Sequence, residues 1–161
     1  MSYLTDIVNK VDFDDNVAIQ EFFIMFNVSN FDHYLTFDEY SDESLVCYSD
    51  IKNDPVKQAC FDDIENKFIE LYEGLYQLSE SNVTILINGE KRERVSIGEY
   101  KEALSEAMKE NPLCGFLFSN LGLYIMTGYD LTHSFYILKN KINLLDEIND
   151  MIRKAGLFIL E

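Results

Sequence analysis

Two histidines and three cysteines are the chain's candidate bases, nucleophiles and soft metal ligands. His33 and His133 stand far apart, and neither sits in a catalytic motif. There is no Gly-x-Ser-x-Gly elbow, no Ser-x-x-Lys and no glycine-rich loop ending in lysine. Cys47 and His33 form a conceivable dyad, but nothing local supports it. Cys47, Cys60 and Cys114 read more simply as small buried hydrophobes, and their odd number and wide spacing give no disulfide framework. Asp12, Asp14 and Asn16 imitate the first ligands of a calcium loop. Val17 replaces the obligatory glycine, however, and Phe23 replaces the bidentate glutamate. The Asp12–Asp15 cluster is better read as a cap for the segment that follows it. Among 29 carboxylates no pair is singled out as acid and base. No catalytic residue, metal ligand or cofactor is therefore expected. Lys91, Arg92 and Arg94 could hold an anion, although solvated hairpin charges are the simpler account.

One stretch has the composition of a binding surface. Residues 31–50 carry Asp32, Asp38, Glu39, Asp42, Glu43 and Asp50 with no lysine or arginine, and Tyr34, Tyr40 and Tyr48 are interleaved among them. Tyrosine offers rigid amphipathic contact area. Clustered carboxylates accept charge-assisted hydrogen bonds from Arg and Lys and steer a basic partner at long range. Acids so spaced can also stand where nucleic-acid phosphates would. The simpler alternative is a solvated loop with its tyrosines partly tucked inward.

The charge is unevenly spread. The 161 residues carry a formal net charge of -16. Residues 1–80 hold 18 acids against 4 lysines, and residues 81–161 hold 11 acids against 9 bases. Such a chain does not bind phosphate backbones non-specifically. At 47% apolar residues it is a folded protein and not a disordered one. Its length suits one domain, residues 1–161. The start lacks a basic, apolar leader, and the most apolar window, 113–126, is too short to span a bilayer. A cytoplasmic location is expected.

The elements that must position these residues are partly legible. Asp54 and Pro55 open a helix over 55–78 whose Phe61, Ile64, Phe68, Leu71, Leu75 and Leu78 form one apolar stripe. That stripe is expected to face the core, or else a partner chain. Ser96-Ile-Gly-Glu99 is a capping box for a helix to about 110. A third helix follows Asn143, with acids in its first turn, Arg153 and Lys154 in its last, and Gly156 as its stop. Asn88-Gly89 between two strand-like runs signals a hairpin. Residues 22–28, 45–48, 121–126, 134–138 and 157–160 are further strand candidates. Residues 31–37 alternate Phe31, His33, Leu35 and Phe37 with a strand's period of two. A short helix opens the chain over 4–11. The fold class expected is α+β, a mostly antiparallel sheet with about three to four helices packed on one face.

The function these features suggest is neutralisation of a basic partner. A small acidic chain without catalytic motifs fits a cytosolic inhibitor, of the immunity or antitoxin kind or a nucleic-acid mimic. It would occlude a basic nuclease or nucleic-acid-binding protein, with no direct nucleic-acid or membrane contact. The alternative is a small-ligand binder, or an enzyme of unassigned class, with a core pocket lined by aromatics such as Phe116, Phe118, Tyr124, Tyr129, Phe135 and Tyr136.

Overall fold

The computed structural model describes residues 2–40, 51 and 53–161. The chain runs through α1 (Tyr3–Val8), α2 (Asn16–Phe22), β1 (Phe23–Ser29), α3 (Phe37–Tyr40), α4 (Pro55–Leu78), β2 (Thr84–Ile87), β3 (Glu90–Glu93) and α5 (Ile97–Met108). It continues through β4 (Gly115–Phe118), β5 (Leu123–Met126), β6 (Thr132–Leu138), a 3₁₀ turn at Lys139–Leu144, α6 (Leu145–Lys154) and β7 (Phe158–Leu160). The strands form one sheet in the order β3-β2-β4-β5-β6-β1-β7, and each pairing is antiparallel. The fold is α+β.

Local chemistry sets the element ends. The Asp54 carboxylate accepts hydrogen bonds from the Val56 and Lys57 N–H groups at 3.0 and 3.1 Å, with Pro55 at the first helical position. Ser96 and Glu99 close the capping box of α5. Asp15 caps α2 through the Val17 N–H at 2.9 Å, and Asp12 accepts from the Asp14 N–H at 2.9 Å. The two carboxylates thus serve the backbone, as the cap reading expects. Asn88 and Gly89 both take positive φ, 51° and 78°, as the two-residue hairpin turn between β2 and β3 requires.

Strand alternation divides the sheet into two faces. Phe26, Val28, Ile85, Phe116, Phe118, Leu123, Ile125, Phe135 and Ile137 join the core under α4, α5 and α6. The α4 stripe is spent here: Phe61, Phe68, Leu71 and Leu75 are at most 1% exposed, so it does not serve a partner chain. Tyr100 Oη donates to the Tyr72 carbonyl at 2.7 Å, Ser105 Oγ to Glu65 at 3.2 Å, and Lys101 pairs with Glu73, which binds α5 to α4. The opposite face is covered by α1 and α2, whose Leu4, Ile7 and Ile19 pack with Phe23, Leu117, Tyr124, Tyr136 and Leu138. Phe13 meets the rings of Tyr124 and Tyr136 edge-on at 5.3 and 4.9 Å.

Three expectations change. Residues 31–37 form no strand. Phe31 N–H donates to Ser29 Oγ at 3.1 Å, and Thr36 and Glu39 form a capping box that opens α3. These local side-chain bonds give the backbone an alternative to a ladder. The strand β4 adds to the expected set. It is buried at every position, so it shows no alternation that would separate it from its apolar surroundings. Cys60 lies exposed on α4, whereas Cys114 is buried. The strand candidate 45–48 lies outside the described residues.

Candidate functional site

The C-terminal half of β1 and the start of β6 present polar side chains on the face that carries α1 and α2. Ser29 pairs with Thr132 and Asn27 with Ser134 in the ladder. Thr132 Oγ1 donates to Ser29 Oγ at 3.1 Å, and Ser134 Oγ donates to Asn27 Oδ1 at 2.9 Å. Asn27 Nδ2 then donates to the Tyr34 hydroxyl at 2.9 Å. This chain of bonds ties the loop after β1 to the sheet by the tip of Tyr34 and leaves that residue 53% exposed.

His33 fixes the rest of the loop. Its Nδ1 lies 2.6 Å from Asp32 Oδ1 and its Nε2 2.6 Å from Glu39 Oε1. The second Glu39 oxygen accepts from the Thr36 N–H at 2.7 Å. Hydrogen bonding to Asp32 and then Glu39 raises the His33 pKa above its ordinary 6.5. Bonding from the Thr36 backbone, and then from His33, lowers that of Glu39. The result is a clasp in which the imidazolium bridges two carboxylates.

Beside this clasp lies a cleft of about 280 Å³. Its floor is Ser29, Thr132, Ser134 and Leu160, and its walls are Phe31, His33, Tyr34, Leu35 and the loop Gly128–Asp130. Phe37, at 85%, and Tyr129, at 65%, are among the most exposed aromatics described. The cleft therefore combines the exposed Tyr34 and Tyr129 with the carboxylates of Asp130 and of Asp32, which bonds His33, while Phe37 and Asp38 lie exposed on α3 next to Glu39 in the chain. From α4, Lys67 reaches the Asn30 side chain at 3.2 Å.

The nine residues singled out in the sequence meet different fates. Asp32, Tyr34 and Glu39 come together around His33 and the cleft, with Glu39 partly occupied in holding the loop, and Asp38 lies exposed on α3. Tyr40 ends α3. Asp42, Glu43, Tyr48 and Asp50 lie outside the described residues. Tyr129, Asp130 and Leu160 join the site from the β5–β6 loop and from β7; the sequence suggested Tyr129 only as a core-pocket aromatic, and no local signal pointed to Asp130 or Leu160. The Thr36-x-x-Glu39 capping box, by contrast, was there to be read.

The aromatics considered for a core pocket separate. Phe116, Phe118 and Phe135 pack under the helices, Tyr124 and Tyr136 pack on the other face, and Tyr129 borders the cleft. His133 is a structural histidine: fully buried, 2.7 Å from the Tyr72 hydroxyl in a shared hydrogen bond, with its pKa pushed down to about 3 by burial. Burial pushes the Cys114 thiol up to about 12. No group of three metal-ligating side chains is present among the described residues, and none of their helices is long and apolar enough to cross a membrane. Comparison with known protein families, with curated proteins and with solved structures finds no match.

Proposed function

We propose that this protein binds a basic protein through residues 31–50 and the neighbouring β5–β6 loop, and neutralises it by occlusion. The observation that carries the reading is the pairing of outward rings with carboxylates on one surface. Tyr34 and Tyr129 stand exposed at the cleft with Asp130 and Asp32, and Phe37 and Asp38 are exposed on α3, which Glu39 ties to His33. Exposed aromatics supply hot-spot area, and the acids supply steering and register. The clasp and the Asn27–Tyr34 bond hold the loop before any partner arrives, which lowers the ordering cost of association. The net charge of -16 favours a strongly basic partner. A nuclease or a nucleic-acid-binding protein is the class that fits, with the acids standing where phosphates would. The setting proposed is the cytoplasm, as for an immunity protein or antitoxin.

The test is affinity capture from a lysate of the native cell at low salt, with elution by salt. The captured protein is then assayed for nucleic-acid binding or cleavage with and without stoichiometric inhibitor. The expected result is a basic protein whose activity falls in proportion to the inhibitor added. An eluate without basic proteins, or a captured protein whose activity is untouched, overturns the reading.

A further inference from the structure

The three cations after the Asn88-Gly89 turn do not act together. Strand alternation places Arg92 toward α5, in a groove with Glu99, Glu102 and Glu106. Lys91 and Arg94 lie instead on the opposite side, in a separate cleft of about 260 Å³ where the β2–β3 edge meets α1. Ser81, Asn82 and Thr84 complete that side of the wall together with the Glu93 carboxylate, and the apolar lining is Val83 alone.

The donors in this cleft have unspent capacity. The Arg94 guanidinium donates no side-chain hydrogen bond among the described residues, nor do the side chains of Ser81, Asn82 and Thr84, although the Arg94 charge helps to lower the pKa of Glu93. Lys91 is engaged at 2.7 Å by Glu93. Arg94 is also held at a φ of 56°, a conformation that asparagine or glycine adopts more readily. The turn is fixed there by buried Val95, whose carbonyl accepts from Tyr76 Oη at 3.0 Å. On the far wall, Ser119 Oγ donates to Ser2 Oγ at 2.9 Å, and Ser2 Oγ lies 2.8 Å from Thr5 Oγ1.

We infer that this cleft binds the phosphate group of a small, soluble phosphorylated compound. Arg94 and Lys91 take the anion, and the uncommitted hydroxyls and amide complete its hydrogen bonds. The guanidinium fork suits phosphate oxygens. The volume lies just under the roughly 300 Å³ at which drug-sized pockets begin, so the ligand is small. A polyanion or an anionic membrane is repelled by the remainder of a molecule at -16. This site is independent of the protein-binding surface, which lies at the other edge of the sheet.

The test is titration with inorganic phosphate and with glycerol 3-phosphate at constant ionic strength, followed by backbone amide NMR. Saturable shifts are expected at Ser81, Thr84, Arg94 and Ser119, with glycerol 3-phosphate the tighter of the two. Arg94→Asn, which suits the backbone at this position, should weaken binding about tenfold or more, the loss expected of a charge-assisted bond. Glu93→Gln, which frees Lys91, should tighten it. Arg92→Asn, on the other side of β3, should leave it unchanged. Non-saturating shifts, retained affinity in Arg94→Asn, or an equal loss in Arg92→Asn would overturn the assignment.

Discussion

His33 is where protonation and loop geometry meet. Its pKa is raised in the folded clasp, so the stability it contributes is complete below the ordinary 6.5 and is lost as pH rises through the raised value. Glu39 is lowered, so its contribution is present above its ordinary 4.5 and is lost as pH falls through the lowered value. The clasp is therefore firmest between about 4.5 and 6.5. Hydrogen exchange of the loop amides should quicken as pH rises past that window, after correction for intrinsic rates. In His33→Gln this extra quickening should be absent, and an identical profile in that variant would contradict the clasp. His133 works in the opposite sense. Its folded pKa of about 3 lies below the unfolded value, so its contribution is complete above 6.5 and is lost as pH falls toward 3. The unfolding free energy from denaturant titration should fall on acidification by about 1.4 kcal/mol per pH unit from this group across the middle of that range. The cysteines diverge likewise. A thiol reagent should modify exposed Cys60 rapidly and leave Cys114 unmodified until unfolding, because Cys114 is buried and its thiolate is disfavoured.

Elements explain which parts of this fold the sequence discloses. The helices announce themselves because their caps are side-chain chemistry: Asp54-Pro55, Ser96 to Glu99, and the left-handed Gly156 at φ 79°. Asp54→Ala should cost about 1 kcal/mol in chemical denaturation, the usual value of such a cap. The hairpin is equally plain from Asn88-Gly89. β4 is hidden by its own burial, and its Gly115 gives no strand cue. That glycine has a packing reason. A methyl group added there would meet Cε2 of Tyr124 at 2.9 Å, so Gly115→Ala should destabilise by about 1–3 kcal/mol through overpacking. The candidate surface was half legible. Composition marked residues 31–50, but the alternation in 31–37 suggested a strand, and local bonds from Ser29, Thr36 and Glu39 override it. Tyr129 and Leu160 enter only through long-range pairing, which no local pattern records.

At the scale of the whole molecule, the two sheet faces do different work. Three longer helices cover one face and hold the core together. The other is covered by two short helices, with a cleft toward each edge of the sheet. One cleft is lined by aromatic rings, hydroxyls and His33, the other by hydroxyls, the Lys91–Glu93 pair and Arg94, so a single scaffold offers two polar clefts of different chemistry. At physiological salt, screening over about 8 Å keeps the field of each cleft local. The central claim is that the acids of residues 31–50 steer a basic protein, and association kinetics test it most directly. The partner captured at low salt would be mixed with wild-type protein and with the Asp38→Lys, Asp42→Lys, Glu43→Lys variant across a range of ionic strengths. The account predicts a wild-type association rate that falls steeply with salt, and a variant at least about tenfold slower at low salt. Equal rates for the two proteins at every salt concentration would contradict it.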